Sequence, residues 1–124
     1  MPDHLRSMLL ISPDLMLTSR VAGLAAAAGW NLEVRPAAST PPANERYDLA
    51  VLDLGGLRPP PAELIQQLRA NLSTQHSIRI VAFGPHVQHE RLQAAVDAGA
   101  VDAVSRGEFL GNFAACLARW DGSE

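Results

Sequence analysis

The chain has 124 residues, a single cysteine and a formal net charge of −3. That length suits one compact core and is too short for two domains; no basic cluster offers the concentrated positive face that nucleic acid requires. Cys116 alone rules out an intramolecular disulfide and a cysteine-built zinc site, and because all ten basic side chains are arginine, any chemistry needing a lysine ammonium is excluded.

Met8-Leu9-Leu10-Ile11 is a continuous apolar run of the kind a buried strand needs. It stops at Ser12-Pro13-Asp14, which predicts a helix start with Ser12 as N-cap, Pro13 at the first helical position and Asp14 in the first turn. Leu17, Val21, Leu24, Ala25 and Ala28 then share one helical face, and Gly29 closes the helix. Trp30 to Arg35 alternates as a second strand. Pro36 to Arg46 holds three prolines and no apolar stripe, so it is a loop with at most one helical turn.

Tyr47 to Asp53 forms the third strand, ending in a carboxylate. Gly55-Gly56 and Pro59-Pro60-Pro61 lead stiffly into a helix carrying Leu64, Ile65, Leu68 and Leu72. Ile78 to Phe83 is the fourth strand, stopped by Gly84-Pro85. Val87 to Ala98 is helical, with Leu92, Ala95 and Val96 facing inward and Gly99 as its stop. Val101 to Val104 is a fifth strand, and Glu108 to Trp120 a last helix with Leu110, Phe113, Leu117 and Trp120 on one side.

Short apolar strands alternating with helical stripes predict a parallel sheet covered on both faces. Right-handed crossovers leave few topologies, and the flavodoxin-like order 2-1-3-4-5 fits best, with any site at the carboxyl ends of strands one, three and four. The expected architecture is a three-layer α/β sandwich over residues 5–120, its second helix shortened or lost, with a tail at 121–124 and no output domain. Apolar runs such as Val21 to Gly29 are too short and alanine-rich to span a bilayer, and no signal peptide is visible, so the expectation is a cytoplasmic chain without a membrane partner.

Two segments carry a family likeness. Tyr47-Asp48-Leu49-Ala50-Val51-Leu52-Asp53-Leu54 resembles the strand that ends in the phosphate-accepting aspartate of bacterial response-regulator receiver (CheY-like) domains. Ala98-Gly99-Ala100-Val101-Asp102-Ala103-Val104-Ser105-Arg106 resembles that family's "AGADDYLTK" segment. The spacing of the first strand's end, Asp53, Gly84 and Arg106 agrees with the four parts of the family's active site. The resemblance implies a signalling domain whose phosphoacceptor position is Asp53.

The rest of that site departs from the family. Ser12 and Pro13 stand where two acids help hold magnesium; proline offers no ligand, and this ion prefers hard, anionic oxygens. Asp14 lies one step further, where a first-turn helix acid is the ordinary reading. Gly84 replaces the hydroxyl residue that senses the phosphoryl group, Ala103 the switch aromatic, and Arg106 the lysine. Gly107 follows in place of proline. The expected consequence is an Asp53–Arg106 ion pair that locks the site without metal or phosphate, since a guanidinium grips a carboxylate bidentately.

Other groups have plainer readings. His86 and His89 lack a third metal ligand in sequence, Gly84-Pro85 lacks the repeated glycines of a phosphate loop, and Cys116 reads as a packed thiol. No nucleophile–base pair assembles, so an enzyme ranks last. The leading expectation is a stand-alone pseudo-receiver that contacts a protein partner, with a homodimer through the last two helices as one form. Its contact surface is placed on Val87, Arg91, Phe109, Phe113 and Trp120, and no cofactor is expected. One alternative is a phosphoaccepting receiver using Asp53, Asp14 and magnesium; another is a small-molecule binder using the Gly84-Pro85 and Gly55-Gly56 loops.

Overall fold

The computed structural model describes residues 6–43, 46–72 and 78–121. Five strands, β1 (Arg6–Ile11), β2 (Trp30–Arg35), β3 (Leu49–Asp53), β4 (Arg79–Gly84) and β5 (Asp102–Ser105), form one sheet in the order β2-β1-β3-β4-β5. All four ladders are parallel. The strand order and the flavodoxin-like class agree with the expectation. Every residue of β3 is buried, as a central strand covered on both faces requires.

Helices α1 (Leu15–Ala27), α4 (Arg106–Gly111) and α5 (Phe113–Trp120) cover one face; α2 (Pro61–Asn71) and α3 (His89–Asp97) cover the other. On the first face Met8, Leu10, Leu49, Val51, Val81 and Phe83 meet Leu17, Val21 and the aromatic group of Phe109, Phe113 and Trp120. On the second, Leu9, Ile11, Ala50, Leu52, Ile80 and Ala82 meet Leu64, Ile65, Leu68 and Ala95.

No helix links β2 to β3 among the described residues, and β2 shows why. Its Leu32 and Val34 stand in register with Met8 and Leu10, whereas Asn31, Glu33 and Arg35 fall on the opposite face. That polar face holds down a loop instead of a helix. Glu33 accepts the Tyr47 hydroxyl at 2.7 Å and the Ala43 N–H at 2.7 Å, and pairs with Arg35 at 2.8 Å. Arg35 also donates to the Pro41 carbonyl at 3.1 Å.

Several boundaries differ from the sequence reading. The N-cap of α1 is Asp14, whose side chain accepts from the N–H groups of Met16 and Leu17; Pro13 lies outside the helix. The residue before a proline is driven to extended geometry, so Ser12 prolongs the sheet, donating its N–H to the Arg35 carbonyl at 2.9 Å. α3 starts at His89, and Val96 is 40% exposed instead of inward-facing. The last helix is split: Asn112, with φ −128° and ψ 43°, ends α4 and precedes α5. The expected tail lies outside the described residues beyond Asp121.

Candidate functional site

The carboxyl ends of β1, β3 and β4 converge on Asp53, which is 1% exposed. A carboxyl group so deeply placed needs hydrogen-bond partners, and two donors are supplied. Ser12 Oγ donates to Oδ2 at 2.8 Å, and the Gly56 N–H donates to Oδ1 at 3.2 Å. Ser12 Oγ in turn accepts the Asp14 N–H at 3.2 Å, so one buried hydroxyl joins the end of β1, the cap of α1 and the end of β3.

The cover over the carboxylate is close-fitting. A Cβ at Gly56 would lie 2.8 Å from Asp53 Oδ2 and 3.1 Å from Pro13 Cδ, and one at Gly55 would lie 3.1 Å from Pro85 Cδ. The glycine pair therefore lets the β3–α2 turn press between two prolines onto Asp53. Gly84 is enclosed as well: a Cβ there would meet Leu54 Cβ at 3.3 Å and Leu92 Cδ2 at 3.7 Å. A hydroxyl-bearing side chain in its place would displace packed apolar atoms.

The expected Asp53–Arg106 ion pair is not formed. Arg106 is the first residue of α4, and its guanidinium extends across the surface to Asp14, with Nη1 at 3.9 Å from Oδ2. Both side chains are well exposed, so this contact adds little stability. Two neutral donors in the buried site satisfy Asp53 without drawing the guanidinium out of water. Ala103 is half-buried on β5 and leaves no aromatic ring there to move.

The residues present do not suit magnesium. Ser12 is committed to Asp53, Pro13 offers no donor, and the Asp14 carboxylate caps α1. The carboxylates at hand are already engaged: Asp53 accepts from Ser12 and Gly56, and Asp14 turns Oδ1 to the helix cap and Oδ2 toward Arg106, so no pair of free anionic oxygens is presented to this ion. Among the described residues no group of three or more His, Cys, Asp and Glu side chains could hold a metal, and His86 and His89 acquire no third ligand.

The predicted contact surface needs correction. Phe109, Phe113 and Trp120 are at most 4% exposed and form the aromatic part of the core, Phe109 stacking on Phe83 with ring centroids 4.4 Å apart. They fill the space between the sheet and the helix layer, where burying large rings is most favourable. Trp120 also donates its indole N–H to Asp102 Oδ2 at 2.7 Å. Arg91 points inward and pins the β3–α2 loop, donating to the Leu54 and Leu57 carbonyls at 3.1 and 3.0 Å. Only Val87 is freely exposed, beside an open, largely apolar groove of about 440 Å³ lined by Val87 to Arg91.

The sequence reading missed Leu15 and Met16, which are 83% and 85% exposed beside Pro13. Their position off the Leu17–Val21–Ala25 stripe was the available signal. Leu15, Met16 and Val87 each follow within three residues one of the two prolines, Pro13 and Pro85, that flank the glycine turn over Asp53.

No family model matches the sequence, and no curated protein matches it. Solved structures do. A response-regulator receiver domain protein from Clostridium thermocellum superimposes with a TM-score of 0.75 at 9% identity, covering 94% of each chain. A response regulator from Thermotoga maritima gives 0.71 at 15% identity, covering 97% of this chain and 100% of its own. One from Burkholderia multivorans gives 0.67 at 23% identity, covering 98% of both. The chain therefore has the fold of response-regulator receiver domains. No described helix is long and apolar enough to cross a membrane.

Proposed function

We propose that this chain is a pseudo-receiver: a signalling module on the receiver fold that works through protein–protein contact and without magnesium-dependent phosphorylation of Asp53. One observation carries the reading: both carboxylate oxygens of Asp53 already accept hydrogen bonds inside the fold, from Ser12 Oγ and the Gly56 N–H. Phosphoryl transfer to a carboxylate relies on positioning and on cations that neutralise the transferring oxygens. Here Asp53 is almost completely buried beneath the glycine turn, Arg106 is turned to Asp14, and Gly84 carries no hydroxyl.

The receiver-domain structures to which this chain is similar point to a partner protein within a signalling pathway. The exposed apolar side chains of Leu15, Met16 and Val87 are the contact candidates this reading favours over the buried aromatics of α4 and α5. The test is to incubate the chain with acetyl phosphate and magnesium and record its intact mass. The expected result is an unmodified chain. A phosphoryl adduct that disappears in Asp53→Asn would overturn the proposal and favour the phosphoaccepting alternative.

A further inference from the structure

The six residues of α4, Arg106–Gly111, include two glycines that the fold does not use. Neither Gly107 nor Gly111 has the positive φ found at Gly29 and Gly99. A Cβ at either position would meet nothing within 4 Å. Neither backbone geometry nor close packing calls for glycine there, yet each weakens the helix relative to alanine.

Few ties hold this segment. Ser105 Oγ caps it by accepting the Glu108 N–H at 3.0 Å. Phe109 is its single fully buried side chain, seated against Phe83, Phe113 and Trp120 with centroids 4.4, 5.3 and 6.0 Å away; Leu110 packs half-buried beside it, and the Glu108 carbonyl accepts from the Cys116 thiol at 3.8 Å. Arg106 reaches Asp14 only at 3.9 Å and in solvent. The neighbouring α5 shares the Phe109 contacts through Phe113 and Trp120 but has anchors of its own in Leu117 and in the bonds from Trp120 and Arg119 to Asp102. The non-helical backbone at Asn112 interrupts the helical path between α4 and α5.

We infer that α4 is a releasable segment: it opens as a unit, lifting Phe109 out of its aromatic seat and Arg106 away from Asp14, while the sheet and α5 stay folded. Sub-global opening of this kind belongs to short elements with few buried contacts. It gives the fold a second conformation at the edge of the sealed site, whether or not Asp53 is ever modified.

Native-state hydrogen exchange on the full chain, with denaturant increased in small steps, tests this directly. The Glu108 and Asn112 amides report on α4, because their bonds to Ser105 Oγ and the Glu108 carbonyl, at 3.0 and 2.9 Å, require it. They should exchange at least about tenfold faster than the Leu54 amide of the sheet and the Leu117 to Trp120 amides of α5, by a route whose denaturant dependence is measurable but smaller than that of global unfolding, as the lesser surface exposed requires. Gly107→Ala and Gly111→Ala, which meet no neighbour, should each slow α4 exchange about fivefold. If the α4 amides exchange only with the sheet, or together with α5, or do not respond to either substitution, α4 is not a separate opening unit.

Discussion

Ser12 Oγ and Asp53 Oδ2 are 41 residues apart in sequence and 2.8 Å apart in the fold. Both side chains are almost completely buried, and the hydroxyl also accepts the Asp14 N–H. Ser12→Ala therefore removes a donor from one buried acceptor and an acceptor from one backbone N–H. The expected loss is about 1–3 kcal/mol, the desolvation cost of polar groups left unpaired. Urea unfolding of Ser12→Ala, Asp53→Asn and the double variant should reveal coupling between the two sites; strict additivity would show that the hydrogen bond contributes nothing.

Two glycines should respond in opposite directions to the same methyl group. At Gly56 a Cβ would sit 2.8 Å from Asp53 Oδ2, so Gly56→Ala should destabilise by about 1–3 kcal/mol. At Gly23, inside α1, a Cβ meets nothing within 4 Å, so Gly23→Ala should stabilise by about 0.4–1 kcal/mol. Thermal melts of the pair, compared with the parent chain, check both signs.

The loop after β2 depends on Glu33, which gathers the Tyr47 hydroxyl, the Ala43 N–H and Arg35. Glu33→Ala should leave the sheet intact and free the loop. Amide exchange at Ala43 should rise by about tenfold or more, consistent with the loss of a charge-assisted hydrogen bond. Unchanged protection at Ala43 would assign the loop's order to its prolines instead.

Burial pushes the Cys116 thiol above its ordinary range, with Glu108 and Asp102 adding to the rise and Arg119 opposing it. The folded state therefore keeps a proton that the unfolded thiol loses first. Stability from this group is fully present below the ordinary thiol pKa and falls as the pH rises through the folded value. At mildly alkaline pH, iodoacetamide should label native Cys116 far more slowly than the unfolded chain, because the thiolate is the nucleophile. Labelling of the native chain at the unfolded rate would show that the side chain is not enclosed.

Local signals carried most of the fold. Continuous apolar strands, helical stripes, Gly29 and Gly99 as stops and the prolines of 36–46 could each be read within a short window. The handedness of the crossovers then narrowed the strand order. That no helix joins β2 to β3 among the described residues is written twice, in those prolines and in the polar face of β2 at Asn31, Glu33 and Arg35. The split between α4 and α5 was less legible, because Asn112 interrupts an apolar stripe whose helical period runs straight through it.

By itself, then, the sequence determined that Asp53 stands at the end of the third strand, with Ser12-Pro13, Gly84 and Arg106 at the neighbouring positions that the resemblance to receiver domains singles out. Residue type and position along the chain suffice for that. Only the tertiary structure decided what Asp53 touches. Ser12, and not Arg106, became its partner because the extended residue before Pro13 carries a hydroxyl into the buried strand end. A long guanidinium on an exposed helix start reaches Asp14 while staying in water. Phe113 and Trp120 already stood on the apolar stripe of the last helix, whereas the burial of Phe109, off that stripe, was settled by its stacking on Phe83 of the sheet, a contact that no local periodicity encodes.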